Sequence, residues 1–417
     1  MPLTSANYKP RVADQELERK LESAGAVLIE GPKACGKTET ARQLAASEVR
    51  LDIDADARQA VQVAPNIVLD GAAPRLIDEW QVEPAIWNHV RHAVDDRQER
   101  GQFILTGSAA PADDETRHSG GMRFARLRMR PMSLFEAGVS TGGVPLSRLL
   151  EGEPAEAPDP GLTVEALAEE VARGGWPATR DLDERAAREA TRDYLDQIRR
   201  TDINSVDGKR RDPEKLNLLL RSLARNVATH VAVSTLVADV GIKEHTAAEY
   251  LDALVRLFVV ENQPAWAPHL RSRYQLRKAD KRHFVDPSLA VATLRTSSKA
   301  LLNDLNTLGF LFESLVVRDL RIYSQPLEGE VKQFRNSAGQ EVDAIVTTAD
   351  GAWAAFEIKL GGEAAIDEGA KSLQRFNEQI DTGKCGEPAA LGVIVAKGFG
   401  YTRPDGVQVI PIGALGP

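Results

Sequence analysis

The run Gly31-Pro32-Lys33-Ala34-Cys35-Gly36-Lys37-Thr38 constrains this chain more than any other feature. It reproduces G-x-x-x-x-G-K-[ST] and stands between an apolar run, Ala26 to Glu30 (AVLIE), and a stretch of helical pattern, Lys37 to Ala46. A strand that turns through glycines into a helix is the setting in which this motif cradles phosphates. The glycines let backbone N–H groups face phosphate oxygens, and the helix N-terminus adds partial positive charge. Lys37 is expected to reach the β- and γ-phosphates of ATP, and the Thr38 hydroxyl to ligate Mg²⁺. A glycine-rich turn of purely structural purpose explains neither Lys37 nor Thr38. Cys35 reads as a small residue tolerated in the loop.

Short apolar strands alternate with helical stretches on either side of this motif. Val49 to Ile53, Arg75 to Asp78 and Phe103 to Thr106 are further apolar runs that end on polar residues. Such alternation implies a parallel sheet covered by helices. In open α/β sheets ligands bind at the C-terminal ends of the strands. Asp78 is therefore placed to hold magnesium through water, and Glu79 beside it suits activation of an attacking water. The adjacent acid favours hydrolysis over transfer to a small molecule. Thr106 and Ser108, at the end of the next strand, suit sensing of the γ-phosphate. Arg123, in a Gly-rich turn, is a candidate for neutralising transition-state charge in cis or in a neighbouring subunit; the alternative is a surface arginine among Arg126, Arg128 and Arg130.

With 417 residues the chain is too long for one ordinary core. The expected divisions are 1–138, a linker at 139–162 rich in Gly, Pro and acids, a helical region at 163–300, and a mixed domain at 301–417. No apolar run is long enough to span a bilayer, and the first residues carry no hydrophobic signal region. Two cysteines, Cys35 and Cys385, make neither a disulfide framework nor a zinc site. The chain reads as cytoplasmic. Its net charge of −9 argues against a generic nucleic-acid coat protein. Residues 199–283, however, carry sixteen basic and ten acidic side chains, which directs attention to an anionic partner there.

The series GPKACGKT, LIDEWQ, LTGS, RPMSLFE, RGGWP, HFVDPSL, and EVD followed by EIK resembles one prokaryotic family across nearly the whole chain. Its members are AAA-type ATPases whose C-terminal half is a domain of unknown function with a restriction-endonuclease-like fold. The resemblance implies an α/β protein in three parts: an N-terminal P-loop AAA-type parallel-sheet domain, a helical winged-helix-like middle, and a C-terminal restriction-endonuclease-like mixed α/β domain. It also implies that Arg123 is the family's arginine before the strand leading to P-x-S-x-x-E.

Ser234 to Leu257 reads as helix–turn–helix about Gly241, and Arg271 to Arg282 (RSRYQLRKADKR) as a basic wing with Tyr274 interleaved. That composition suits phosphate contact and stacking. Glu244, Glu249 and Asp252 on the second helix would repel phosphates, so a packing module between domains is the competing reading.

Asp343 lies on an apolar strand (EVDAIV), and Glu357 and Lys359 share one face of the next (AAFEIKL), because alternate strand residues point the same way. Two carboxylates and a lysine form a set able to hold Mg²⁺ or Mn²⁺ and polarise a water near a phosphodiester. Glu313 and Gln374 fall where restriction-endonuclease-like folds place auxiliary polar groups. The competing reading is a buried salt-bridge cluster. Two functions follow: an ATP-governed nuclease acting on DNA or RNA, or a nucleotide-dependent interaction switch with an unidentified protein partner. An oligomer would be required for Arg123 to act in trans.

Overall fold

Ala26-Val-Leu-Ile-Glu30 forms β1, and its alternating side chains feed two separate cores in a computed structural model that describes residues 8–107, 120–268 and 280–417. Val27 and Ile29 pack with Leu17 and Leu21 of α1 (Ala13–Ser23) and Ala41 of α2 (Lys37–Leu44). Ala26 and Leu28 face the other way, onto Trp87, Val90 and Val94 of α3 (Ile86–Arg97). The sheet thus has a helical layer on each face, as period-2 alternation in a doubly covered strand requires. β2 (Ser47–Arg50), β3 (Arg75–Asp78), β4 (Phe103–Gly107) and β5 (Phe124–Arg128) complete it in the order β2-β3-β4-β1-β5, all parallel. The phosphate-loop strand and the acid-bearing strand are therefore separated by β4. These elements belong to a compact unit comprising Met1–Pro131, Thr201–Arg210 and Ala253–Val259.

The second unit comprises Met132–Arg200, Arg211–Asp252 and Val260–Pro417. The helix α4 (Val233–Val240) ends at Gly241, which takes a left-handed conformation (φ 68°), and α5 (Glu244–Arg256) follows. The antiparallel pair β7 (Val260–Gln263) and β8 (Lys281–Phe284) comes next; the two-residue β6 (Val144–Pro145) precedes them in the chain. Residues 271–279 of the basic stretch lie outside the described residues. Of its remaining cations, Lys281 is buried, and Arg282 is half-buried with a guanidinium donating to the Val231 carbonyl at 2.7 Å.

The C-terminal part runs α6 (Leu305–Tyr323), β9 (Glu330–Arg335), β10 (Glu341–Thr347), β11 (Trp353–Lys359), α7 (Glu363–Gln379), β12 (Ala390–Val395), β13 (Tyr401–Thr402) and β14 (Gln408–Pro411). Its sheet has the order β13-β14-β12-β11-β10-β9. β9, β10 and β11 pair antiparallel, whereas β11, β12 and β14 pair parallel, with α7 as the crossover from β11 to β12. Trp266, Phe334, Trp353 and Phe376 form the aromatic centre of the core on the α7 face. A register shift between Val342 and Ile345 marks a bulge in β10. Bulges re-aim side chains, and this one holds Asp343.

The short motifs RPMSLFE, RGGWP and DP meet in this unit around one buried arginine. Arg318 on α6 donates to Asp286 at 2.7 Å and to Asp319 at 2.7 and 2.8 Å. Asp319 in turn accepts from the Leu134 N–H, and Asp286 from the Gly175 N–H, both at 3.0 Å. Trp176 Nε1 donates to Ser288 Oγ, and Gly175 packs so closely on Met132 that a Cβ there would lie 2.1 Å from its carbonyl oxygen. Burial pushes the Asp319 carboxyl up, and Arg318 counters only part of that rise. Three distant loops are thereby tied to one helix through buried charges. No helix among the described residues is long and apolar enough to cross a membrane.

Candidate functional site

At the C-terminal end of β1 the loop 31–36 curls back over the sheet before α2 starts. Gly36 supplies the helix N-cap in a left-handed conformation (φ 104°), and Ala34 also takes positive φ (61°). Gly31 is required by space: a Cβ there would lie 2.3 Å from the Met129 carbonyl oxygen. Lys37 is buried, and its ammonium donates to the carbonyls of Gly31 (3.1 Å) and Pro32 (2.8 Å). The loop's own oxygens thus hold the cation at the mouth of the helix. Cys35 is fully buried and packs as a small core residue.

Thr38 Oγ1 donates to Asp78 Oδ1 at 2.9 Å, and Thr106 Oγ1 donates to the same oxygen. The register aligns Arg50 with Asp78 and Asp78 with Thr106, so these three strand ends present their polar groups together beside the loop. Arg50 Nε lies 3.9 Å from Asp78 Oδ2. Thr38 and Asp78 are adjacent hard oxygen donors next to a helix N-terminus, a pair that fits Mg²⁺. Glu79 takes positive φ (54°), uncommon for a residue with a side chain, and accepts a short hydrogen bond from Gln81 Nε2. The side chain suited to water activation is thereby held in place by a neighbour two residues on.

Two features of this site escape sequence reasoning. Arg11 is buried and braces the loop from outside it, donating to the Cys35 carbonyl at 2.7 Å and the Arg130 carbonyl at 2.8 Å. No motif surrounds Arg11 to signal this. Lys33 pairs with Asp202 at 2.8 Å, a residue 169 positions away. The structure does not bring Arg123 to the loop. Its carbonyl accepts from Ala26 N at the N-terminal end of β1, and its guanidinium grips Asp95 of α3 at 2.8 and 3.3 Å. The five residues of β1 separate it from Gly31, about 16 Å at ~3.3 Å per residue. Arg123 thus stands at the end of the sheet away from the phosphate loop of its own chain. Ser108 lies outside the described residues.

In the second unit Asp343, Glu357 and Lys359 line a cleft of about 480 Å³ with Glu341, Glu368 and Ser372. Lys359 Nζ lies 2.8 Å from Glu357 Oε2 and 3.9 Å from Asp343 Oδ2. Asp343 Oδ2 also accepts from the Ile358 N–H at 2.9 Å, and Glu357 Oε1 from Ser372 Oγ at 3.0 Å. Glu313 of α6 joins the group through Lys281, which reaches Glu313 Oε1 at 2.6 Å and Asp343 Oδ1 at 3.4 Å. Gln374 lies on a neighbouring hollow of α7 with Lys371 and Glu378; the cleft takes Glu368, Ser372, Arg375 and Gln379 from that helix. Lys281 was legible only as part of a basic run. Among the described residues, no group of three or more His, Cys, Asp or Glu side chains is arranged to hold a metal ion, and Asp343 and Glu357 meet around the Lys359 ammonium.

Three carboxyls and two ammoniums leave one uncompensated negative charge in a buried place. Burial, and then the charge of Asp343, push Glu313 up to about 8 and Glu357 up to about 7. Burial opposes the Asp343 charge too, but Lys281 and Lys359 outweigh it and hold Asp343 below the usual carboxylate range. For Glu313 a raised folded pKa means stability present below the unfolded value near 4.5 and lost as pH rises through 8. We expect thermal melting between pH 5 and 8.5 to show this fall in wild type and a flatter profile in Glu313→Gln. Equal slopes in the two proteins would remove Glu313 as the source.

Comparison with known proteins gives the N-terminal part a class. Residues 23–138 match the family model described as an AAA domain. Together with the strand–loop–helix geometry above, this makes the N-terminal unit a P-loop nucleotide-binding domain of the AAA type. Residues 164–300 and 308–415 each match a model described as a domain of unknown function, DUF8612 and DUF4143 respectively. The chain is 24% identical over 371 residues to "Uncharacterized protein Rv2008c" of Mycobacterium tuberculosis and to "Uncharacterized protein Mb2031c" of Mycobacterium bovis, covering 87% of this chain and 76% of each relative. Among solved structures it resembles the Walker-type ATPase PABY2304 of Pyrococcus abyssi, at 14% identity and a TM-score of 0.41, covering 70% of this chain and 97% of that one.

Proposed function

We propose that this chain binds and hydrolyses ATP and that its nucleotide state governs the C-terminal unit. The observation that carries the reading is the convergence of Lys37, Thr38, Asp78 and Thr106 at the C-terminal strand ends. Lys37 leaves the Gly31 and Pro32 carbonyls for the β- and γ-phosphates, and the loop N–H groups hold the oxygens between them. Thr38 and, through water, Asp78 would hold Mg²⁺, which would neutralise phosphate charge. Glu79, released from Gln81, accepts the proton of the attacking water. The test is Mg²⁺-dependent phosphate release by the full chain: Glu79→Gln should lower the rate by about 10²-fold or more while ATP binding persists. A variant that hydrolyses at the wild-type rate would place the base elsewhere.

For the C-terminal unit, the order α6-β9-β10-β11-α7-β12 and the single cleft shared by Asp343, Glu357 and Lys359 support a restriction-endonuclease-like origin. A nuclease acting on DNA or RNA is one use of that cleft. The other is a nuclease-like unit that does not cleave and serves as the output of a nucleotide-dependent interaction switch. The two lysines on the three acids favour the second. Degradation of labelled DNA or RNA that is lost in Lys359→Ala would reverse that preference.

A further inference from the structure

The metal that a nuclease-like cleft implies does not fit the residues present, and the misfit has one cause. We infer that Lys281 Nζ occupies the position between Glu313 and Asp343 that a divalent cation would otherwise take, so the cleft is built around two ammonium groups instead of a metal. This rests on the reading of the C-terminal unit as a nuclease-like fold that does not cleave.

The argument is one of oxygen bookkeeping. Asp343 Oδ1 faces Lys281, and Oδ2 receives the Ile358 N–H with Lys359 beyond it. Glu357 Oε1 receives Ser372, and Oε2 receives Lys359. Glu313 Oε1 receives Lys281. A divalent ion needs several of these oxygens at about 2.0–2.6 Å. It would have to strip them from both lysines and leave Lys281, only 3% exposed, beside a doubly charged ion where burial weakens the screening of their repulsion.

Lys281 is also not free to withdraw. It sits on β8 opposite Gln263 of β7. Gln263 Nε2 donates to the carbonyls of Asp343 (2.9 Å) and Lys332 (3.1 Å), and its oxygen pairs with His283 Nε2 at 2.9 Å. The strand that carries the lysine is thus pinned to the strands that carry and flank the aspartate. Charge agrees: Glu313 and Asp343 together outweigh the cost of burying the Lys281 ammonium and hold it protonated.

The test titrates Mn²⁺ into the nucleotide-free full chain and follows loss of the free-ion electron paramagnetic resonance signal. Wild type and Asp343→Asn should bind Mn²⁺ alike. Lys281→Met, which keeps the side-chain length without the charge, should gain one Mn²⁺ site on the order of tenfold tighter or more, lost again in Lys281→Met with Asp343→Asn. Circular dichroism identifies a variant that has not folded, in which case the wild-type and Asp343→Asn pair decides alone. Wild-type binding that Asp343→Asn abolishes overturns the inference, as does a folded Lys281→Met with no new site. Cleavage of labelled DNA and RNA is followed in the same samples. Asp343-dependent Mn²⁺ binding without cleavage sinks only the role of Lys281, whereas Asp343-dependent cleavage sinks the non-cleaving reading as well.

Discussion

Lys37→Ala should abolish phosphate release and, with it, the stabilisation that ATP confers on the wild-type chain. Lys37 is buried at the helix mouth with its ammonium on the Gly31 and Pro32 carbonyls, so alanine removes the cation that the loop carbonyls hold. Ligand at about one hundred times its Kd stabilises a protein by about 2.7 kcal/mol, a clear rise in Tm for the unit that binds it. The variant should show no such rise at the same ATP and Mg²⁺ concentrations, and turnover lower by about 10²-fold or more. The loop itself should persist, because Arg11 and the close packing of Gly31 on Met129 still shape it. A wild-type ATP shift retained in Lys37→Ala would mean that the nucleotide binds somewhere other than this loop.

The largest effect on stability is expected from Arg318→Leu in the second unit. Arg318 is enclosed and pairs with both Asp286 and Asp319, which in turn hold the backbone at Gly175 and Leu134. Removing one partner from a buried ionic group leaves charge uncompensated and costs about 3–5 kcal/mol, because the remaining carboxylates cannot recover their water. For a unit of this size that corresponds to a fall in Tm on the order of 10 °C. Replacing Asp286 and Asp319 by asparagine in the Arg318→Leu background should recover part of the loss, since no full charge then remains buried. Arg185→Ala, which breaks an exposed pair with Glu189, should change stability by about 0.5 kcal/mol or less. If Arg318→Leu and Arg185→Ala melt together, the network is not what ties the three loops to α6.

Much of the first unit was legible in the linear chain. The strand Ala26–Glu30, the loop and the helix from Lys37 follow one another within twenty residues, so backbone propensity, glycine freedom and the phosphate chemistry all act locally. Asp78 and Glu79 were legible for the same reason, as acids that close a short apolar strand. Arg123 shows the limit of such reading. Its place in a glycine-rich turn before β5 was correct in sequence, but a parallel strand starts at the end of the sheet opposite to where β1 finishes. Which end a turn occupies is a property of the sheet.

The C-terminal cluster divides in the same way. Asp343, Glu357 and Lys359 were legible because acids on strongly apolar strands are costly unless paired or used, and the two-residue period puts Glu357 and Lys359 on one side. Lys281 was not, since in the chain it belongs to a basic run whose neighbours suggest a solvated wing. Only the pairing of β7 with β8, and the anchoring of Gln263 to the Asp343 and Lys332 carbonyls, turn it inward onto acids 32 and 62 positions away. The RPMSLFE, RGGWP and DP segments likewise stood as separate signals until α6 brought Arg318 between Asp286 and Asp319. By itself the sequence marked the phosphate loop, because its chemistry is written within a single strand–turn–helix, and Asp78, because an acid closes the short apolar strand β3. The tertiary structure alone decided which cation answers each buried carboxylate, because burial and charge pairing depend on groups that meet only after the chain has folded.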